Sequence, residues 1–242
     1  MHLTLSWKGK VRGGAVKKMG CLIVLICIVF LAAACGSGSN GSEDADVMSK
    51  ATDDRYEEME IREYKGIKLD PSVGPRDNSI KGIQNVEIES YTLNVSGLVK
   101  QNLSLTYDDV IALPSYEKLI TLYCVEGWDA TVLWKGALLE DIIAQAEAER
   151  SANTVIFHCV DGYTTSMPLE YLNENNILLA YSSNHITLPP SLGYPFIVVA
   201  EDKLGYKWAR WVNEIELSDD QDYQGYWESR GYENEADVPE SR

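Results

Sequence analysis

The sequence predicts a compact, β-rich α+β domain with a mixed sheet and two or three helices. Short segments rich in β-branched and aromatic residues alternate with turn residues from residue 91 onwards. Two further segments carry the periodicity and end signals of helices. The chain has 242 residues, 45% of them apolar and 24% charged, which suffices for one core of ordinary size. Many strands with a few interspersed helices are typical of a mixed α+β domain.

The strand predictions follow from composition and from the turn residues that bound each segment. Seven segments meet both criteria: 91–95, 118–124, 131–134, 154–160, 177–181, 196–200 and 208–217.

The helix predictions follow from capping and apolar spacing. Thr106 with Asp109 three residues later resembles a capping box, and Pro114 ends that helix. Residues 137–149 form the second predicted helix. Acidic residues occupy one face of this helix. The apolar residues share the opposite face and are Leu138, Leu139, Ile142, Ile143 and Ala146. A third short helix is predicted after Pro168.

The N-terminus has the pattern of an export signal. Residues 8–18 carry five positive charges, and residues 19–34 are an unbroken apolar run of 16, shorter than the roughly 20 that a spanning helix needs. Small residues precede Cys35, and a Gly/Ser tether follows it. This resembles the lipobox of prokaryotic lipoproteins, which implies that Cys35 is lipidated and becomes the mature N-terminus. The alternative is an uncleaved anchor, and both predict a membrane-tethered body outside the cytoplasm.

Composition then divides the chain into four parts. Residues 1–35 are the predicted signal or anchor, and 36–77 a flexible acidic linker and lead-in. Residues 78–235 form the predicted folded domain, and 236–242 a disordered tail.

The charge of the chain excludes one class of partner. The formal net charge is -16, and without the first 34 residues 16 basic residues face 37 acidic ones, a net of -21. A body this acidic repels phosphate backbones, so nucleic-acid binding is not expected.

Several kinds of chemistry are absent from the sequence. It has no Gly-rich phosphate loop and no Gly-x-Ser-x-Gly elbow. The chain has three histidines, and His2 lies in the predicted signal. The two that remain are too few for a multi-histidine metal centre. Five cysteines without suitable spacing exclude a disulfide scaffold and an iron–sulfur cluster. A redox cofactor would therefore need very few protein ligands.

Cys124 is the candidate for such a ligand. It lies where a predicted strand ends and the chain turns at Gly127, and loops at strand ends commonly present functional groups. A lone thiolate suits a metal whose other ligands come from an organic cofactor. Two alternatives remain open at this level: a buried core cysteine, or a disulfide between Cys124 and Cys159.

Six landmarks between residues 78 and 231 occur in the order typical of one family. They are YTLNVSGLV (91–99), YCVEGW (123–128), DGYTT (161–165), LPPSLGYP (188–195), LGYKW (204–208) and GYWESRGY (225–232). In these motifs the chain resembles the sulfite-oxidase-type molybdopterin-binding domain, including the methionine-sulfoxide-reductase catalytic subunits. The resemblance implies that family's fold.

The resemblance also implies roles for individual residues. The cysteine of the Cys-Val-Glu-Gly-Trp element binds molybdenum through sulfur, so Cys124 would be the metal ligand and catalytic residue. Molybdopterin would supply two dithiolene sulfurs, and oxo or hydroxo groups the rest. Further cofactor contacts would be Asn78 in the early loop, Cys159, and a phosphate-binding loop of Lys207, Trp208, Ala209 and Arg210.

Two departures accompany the resemblance. Relatives carry an arginine at the start of the segment that here reads Phe196 to Ala200, and an asparagine of the reductases aligns with Leu192. The arginine cluster that sulfite oxidases use for sulfite is also not visible.

The resulting prediction is an extracytoplasmic, membrane-tethered molybdenum oxidoreductase. It would exchange an oxygen atom or two electrons with a small S-oxide or sulfite-like substrate. An external electron-transfer protein, either a membrane haem subunit or a cytochrome, would complete the reaction, and the pterin would be the plain form. The alternative is a non-catalytic lipoprotein module for binding or assembly, because a fold does not guarantee function.

Overall fold

The computed structural model describes residues 54–72 and 79–240, all within one compact unit that spans residues 41–242. The predicted signal, Cys35 and Asn78 lie outside the described residues. None of the helices in the described ranges has the length and apolar character to span a membrane.

Twelve strands and four α-helices make up this unit in the described residues. The strands are β1 (Glu63–Tyr64), β2 (Ile67–Lys68), β3 (Leu93–Gly97), β4 (Leu103–Leu105), β5 (Tyr116–Tyr123), β6 (Asp129–Leu138), β7 (Thr154–Cys159), β8 (Thr164–Pro168), β9 (Leu178–Ser183), β10 (Ile186–Thr187), β11 (Ile197–Val199) and β12 (Val212–Ser218). The helices are α1 (54–59), α2 (Tyr107–Ile111), α3 (Leu139–Ala146) and α4 (Leu169–Glu174). Four 3-10 turns join them: Ile88–Ser90, Pro190–Leu192, Gly205–Lys207 and Glu228–Arg230.

The strands form two five-stranded sheets and a small hairpin. The first sheet has the order β10-β9-β6-β5, and β11 also pairs with β9. The second has the order β4-β3-β12-β7-β8, with β3 and β12 parallel and the other pairs antiparallel. β1 and β2 form the hairpin.

Both sheets and helix α3 contribute to one hydrophobic core. In β3 buried residues alternate with partly exposed ones, as in a strand with one face on the core. Strand β11 is buried at all three positions, because the chain covers both of its faces. Burial of these apolar surfaces supplies the main stabilisation of the domain.

The predicted α+β class is confirmed, and each predicted strand overlaps an observed one. The capping box of α2 forms: the Thr106 hydroxyl accepts from the Asp109 backbone, and the Asp109 carboxylate accepts from the Thr106 backbone. The helices after residues 137 and 168 are present as α3 and α4. The predicted strand 208–217 begins too early, since Trp208 to Trp211 form a loop in which Trp211 has a φ of 56°.

The structure corrects both predicted ends of the domain. Residues 60–72, which we call the N-terminal strap, belong to the predicted flexible linker and lead-in of residues 36–77 but pack on the first sheet, with Leu69 and Ser72 buried. The predicted disordered tail is also held in place through residue 238. Leu204 N donates to Ala236 O at 2.8 Å, and Lys203 pairs with Asp237 at 2.5 Å. Tertiary contacts to distant residues hold both segments, and local composition does not report such contacts.

Asn184 connects the strap to the first sheet. Its Oδ1 accepts from Leu133 N at 3.0 Å, and its Nδ2 donates to Glu60 Oε2 at 2.8 Å and to Asp70 O at 2.9 Å. The residue is fully buried and has a φ of 44°, a conformation that asparagine tolerates better than most residues.

We expect Asn184→Ala to lower the free energy of unfolding by about 3 kcal/mol, because it leaves buried partners of three hydrogen bonds unsatisfied. Urea unfolding would measure the change. Asn176→Ala is the matched control, since Asn176 has a φ of 49° but is exposed. It should cost about 1 kcal/mol from backbone strain alone. Equal losses in the two variants would show that the Asn184 network does not stabilise the fold.

Candidate active site

A cavity of about 850 Å³ lies beside the end of β5. Its lining comes from seven stretches of chain: 70–72 at the end of the strap, 79–83, 122–134, 161–163, 191–197, 205–211 and 227–232. The cavity is therefore assembled from segments far apart in sequence.

Cys124 lies in this lining, one residue beyond β5, and is buried. The loop that follows it is closed by two backbone hydrogen bonds. Cys124 N donates to Trp128 O at 2.9 Å, and Gly127 N donates to Cys124 O at 3.1 Å. Gly127 has a φ of 89°, a conformation that a residue with a Cβ rarely adopts. The loop thus holds the thiol in a defined position at the cavity wall.

The loop 204–211 lies next to Cys124. A bridge between Tyr123 and Leu204 aligns it with the end of β5. A side chain on Gly205 would place its Cβ 3.3 Å from Leu122 Cδ2 and 3.8 Å from Cys124 Cα. A Cβ here would be in ordinary contact with Cys124 and slightly too close to the Leu122 side chain, so the loop packs directly against the end of β5.

Arg210 forms another part of the cavity lining. Its Nη1 donates to Ser191 O at 3.0 Å, and its guanidinium lies 4.9 Å from the centre of the Trp211 ring. Trp211 Nε1 donates to Pro190 O at 2.8 Å, which holds the same turn. These contacts fix the direction of the guanidinium.

Aromatic side chains make up a further part of the lining. The ring of Trp227 lies 5.1 Å from that of Tyr232, which in turn lies 5.3 Å from Tyr206. Tyr163 donates its hydroxyl hydrogen bond to Tyr206 O. Trp227 and Tyr232 were not predicted as site residues, because an aromatic cluster in a sequence is equally consistent with simple packing.

The cavity is acidic. Four carboxylate residues line it, Asp70, Glu126, Asp129 and Asp161, and among the described lining residues Arg210 is the one cationic side chain. Glu126 and Asp129 are exposed and follow Cys124 closely in sequence, so they lie at the mouth. An anion entering the cavity would meet this negative charge first.

The structure brings together only some of the predicted site residues. Cys124, Trp208 and Arg210 line the cavity, whereas Cys159 and Ala209 are buried outside its lining. Asn78 lies outside the described residues. Cys159 ends strand β7 and pairs with Val212 of β12 in the second sheet.

Cys124 and Cys159 are not joined in a disulfide, so that alternative is not realised. Burial raises the pKa of the Cys159 thiol well above its usual value, and the nearby Asp161 carboxylate raises it further, while Arg210 opposes both. The thiol of Cys159 therefore stays neutral at physiological pH.

The ammonium of Lys207 is engaged by other protein groups and does not reach the cavity. It donates to Glu228 Oε1 at 2.6 Å, to Asn234 Oδ1 at 2.8 Å and to Ser166 O at 3.0 Å. The side chain is fully buried and outside the cavity lining. Three internal partners use its three N–H groups, so it is not available to bind a phosphate.

The lining suits a large cofactor with several polar groups. Within the described part of the chain, three buried polar atoms of the lining have no hydrogen-bond partner: Ser72 Oγ, Ser191 Oγ and Trp134 Nε1. Buried polar groups are normally satisfied, so such atoms indicate a bound partner. The described residues include no group of three or more His, Cys, Asp or Glu side chains able to hold a metal. A metal here would depend on Cys124 together with ligands that belong to a cofactor.

These features suit a class of oxidoreductase in which one cysteine and an organic cofactor would together hold a metal. The chain belongs to the family described as the oxidoreductase molybdopterin binding domain, which matches residues 80–227. It is accordingly a molybdenum-cofactor oxidoreductase of the sulfite oxidase and methionine-sulfoxide reductase type. The predicted family, enzyme class and cofactor are confirmed.

Relatives with assigned names support the same assignment. The chain is 33% identical to "Uncharacterized oxidoreductase YuiH" of Bacillus subtilis, over 62% of this chain and 76% of YuiH. It is 32% identical to "Putative protein-methionine-sulfoxide reductase subunit YedZ1" of Azospira oryzae, over 62% of this chain and 57% of that protein. It is 29% identical to the mitochondrial sulfite oxidase of Homo sapiens, of which it covers 33%.

A solved structure shows the same fold. The sulfane dehydrogenase SoxCD from Paracoccus pantotrophus matches with a TM-score of 0.55 at 20% identity, over 57% of this chain and 40% of the SoxCD chain.

Proposed function

We propose that the protein is an extracytoplasmic, membrane-tethered molybdenum oxidoreductase that reduces a small, uncharged S-oxide with electrons from an external protein. The observation that carries the proposal is the position of Cys124, buried in the lining of a cavity of about 850 Å³ with three unpartnered polar atoms. A thiol in this position suits a metal ligand, and the volume suits an organic cofactor.

The side chains of the cavity have distinct roles in this proposal. Cys124 holds the metal, and Arg210, fixed by Ser191, binds the phosphate of the pterin. When bound, the cofactor supplies two-electron chemistry with oxygen-atom transfer. The walls of Trp128, Trp227 and Tyr232 limit the access of water to the reacting end.

The acidic mouth favours an uncharged substrate over sulfite. Glu126 and Asp129 repel an approaching anion, and the chain lacks the arginine cluster that the resemblance associates with sulfite binding. At roughly 8 Å in water each carboxylate raises the energy of a single negative charge by about 0.5 kcal/mol. Two such charges would lower the capture of a monoanion by about 5-fold.

An external protein has to exchange electrons with this domain in the proposal. The sequence carries no haem-attachment motif and no cysteine set for a cluster. The name of the Azospira relative includes the word subunit, which supports a membrane haem subunit or a cytochrome as partner. The basic and apolar pattern of residues 8–34 and the small residues before Cys35 support export and tethering at that cysteine.

The test compares an uncharged sulfoxide with sulfite. Sulfoxide reduction would be followed with a reduced viologen dye, and sulfite oxidation with ferricyanide, both on the cofactor-loaded protein. We expect a higher kcat/KM for the sulfoxide. Glu126→Gln/Asp129→Asn should raise kcat/KM for sulfite by about 5-fold at low salt and leave that for the sulfoxide within 2-fold.

Glu174→Gln is the matched control, because Glu174 is exposed at the end of α4 and outside the cavity lining. Faster turnover of sulfite than of sulfoxide would contradict the proposed substrate. A protein that contains molybdenum and pterin but turns over neither compound would favour the binding or assembly module.

A further inference from the structure

The N-terminal strap lies outside residues 80–227, the part of the chain that matches the family, yet it forms one wall of the cavity. We infer that the strap is part of the cofactor site and that the Ser72 hydroxyl is a direct contact for the pterin. The inference rests on the proposed function, because it takes the pterin to be the occupant of the cavity.

The first observation is that the strap is fixed in place at its start. Glu60 is buried, and its Oε2 accepts from Asn184 Nδ2 and from Ser72 N, both at 2.8 Å. Its Oε1 accepts from Arg62 at 2.5 Å. One carboxylate therefore joins the first residue of the strap, the last residue of the strap and the sheet. A buried, paired carboxylate is expensive to disrupt, so this arrangement is rigid.

A second anchor holds the end of the strap. Asp70 N donates to Thr131 O at 2.9 Å, and Thr131 N donates to Asp70 Oδ2 at 2.8 Å. Thr131 belongs to β6, next to the loop that carries Cys124. The strap thus delivers Asp70, Pro71 and Ser72 to the cavity wall with little freedom to move.

The second observation is the state of the Ser72 hydroxyl. Ser72 is 2% exposed and lines the cavity, and among the described residues its Oγ has no hydrogen-bond partner. Trp134, 1% exposed, contributes an unpartnered Nε1 to the same lining. Leaving a buried hydroxyl unsatisfied costs free energy, so an unpartnered hydroxyl on a rigidly held residue of the cavity lining points to a ligand that pairs with it.

The burial of Ser72 and Trp134 indicates that the ligand they contact is the cofactor and not the substrate. The residues at the mouth, such as Val125 and Tyr232, are about two-fifths exposed, whereas Ser72 and Trp134 are almost completely buried. A substrate that enters and leaves contacts the mouth and the metal, and the resident cofactor fills the interior. A pterin carries both donors and acceptors, and a hydroxyl can pair with either.

The test uses two serine variants of the full chain, produced with the cofactor. Ser72→Ala removes the hydroxyl and leaves the backbone hydrogen bond to Glu60 unchanged. Ser183→Ala is the matched control, because Ser183 Oγ is also buried and unpartnered in the described structure but lies outside the cavity lining. The readouts are the rate of pterin release into cofactor-free buffer and the thermal unfolding of the cofactor-free and loaded forms.

We expect Ser72→Ala to release pterin about 2- to 10-fold faster than the parent, the effect of one hydrogen bond. Its cofactor-free form should unfold at the temperature of the parent or slightly above it, and the stabilisation by cofactor should be smaller. Ser183→Ala should release pterin at the parent rate. Equal release from both variants would overturn this assignment alone, whereas a parent that holds no pterin would overturn the proposed function as well.

Discussion

Cys124→Ser should contain almost no molybdenum, while the parent contains about one atom per chain. A serine hydroxyl is a poor ligand for a metal that a thiolate holds, and the described residues offer no cluster of side chains to replace it. Elemental analysis of protein from cells that make molybdopterin would measure the difference, with pterin fluorescence as a second readout. The fold should persist, because the substitution changes one atom in the cavity wall.

Cys159→Ser provides the control for that experiment. Cys159 is the second cysteine among the described residues and is buried outside the cavity lining. Since its thiol is held neutral by burial, its replacement should leave the molybdenum content near that of the parent. Loss of metal from Cys159→Ser with retention in Cys124→Ser would contradict the ligand assignment.

Lys207→Met should lower the free energy of unfolding by about 3–5 kcal/mol, because it leaves the Glu228 carboxylate buried without its cation. The two side chains are each 1% exposed and pair at 2.6 Å, and Glu228 also accepts from Thr165 Oγ1 at 2.6 Å. Urea unfolding of the cofactor-free protein would measure the loss. The cofactor-free form is informative because the predicted phosphate-binding role would leave its stability unchanged.

The double variant Lys207→Met/Glu228→Gln shows how much of the stability loss comes from the unpaired charge of Glu228 and how much from changed packing. The introduced amide would be neutral and could still accept from the Thr165 hydroxyl, so the double variant should recover about half of the stability that Lys207→Met loses. A double variant as unstable as the sum of both single variants would show that the ion pair does not account for the loss.

The ion pair between Lys207 and Glu228 has a consequence for the cavity. Glu228 follows Trp227 directly, and Lys207 stands between Tyr206 and Trp208; these three aromatic neighbours all line the cavity. The pair therefore links the loop beside Cys124 to the C-terminal segment. Its role is to position the aromatic wall, and Arg210 remains as the cation of the described lining.

Local sequence signals account for most of the secondary structure. The capping box at Thr106, the apolar face of α3 and the composition of β7 each depend on residues close together in the chain, so these elements were predictable. The start of β12 was not predictable from the sequence. Residues 208–211 have the composition of a strand, but they form a loop beside the cavity.

The sequence by itself determined the family, the cofactor and the cysteine that faces the cavity. Ordered motifs such as Tyr-Cys-Val-Glu-Gly-Trp carry this information in neighbouring residues. A motif shows which residue types are adjacent in the chain. This information is enough to predict a functional residue when that residue and its motif lie in one loop.

Only the tertiary structure decided which of the other residues reach the cavity. Lys207 and Arg210 are three residues apart. The Lys207 ammonium pairs with Glu228, whereas Arg210 lines the cavity. Ser72 reaches the same cavity from outside the matched domain because its backbone N–H donates to Glu60, which Asn184 in turn holds in place. These outcomes depend on contacts between residues far apart in the chain, 21 positions for Lys207 with Glu228 and 124 for Glu60 with Asn184. Burial and hydrogen bonding are decided by neighbours in space and not by neighbours in the chain.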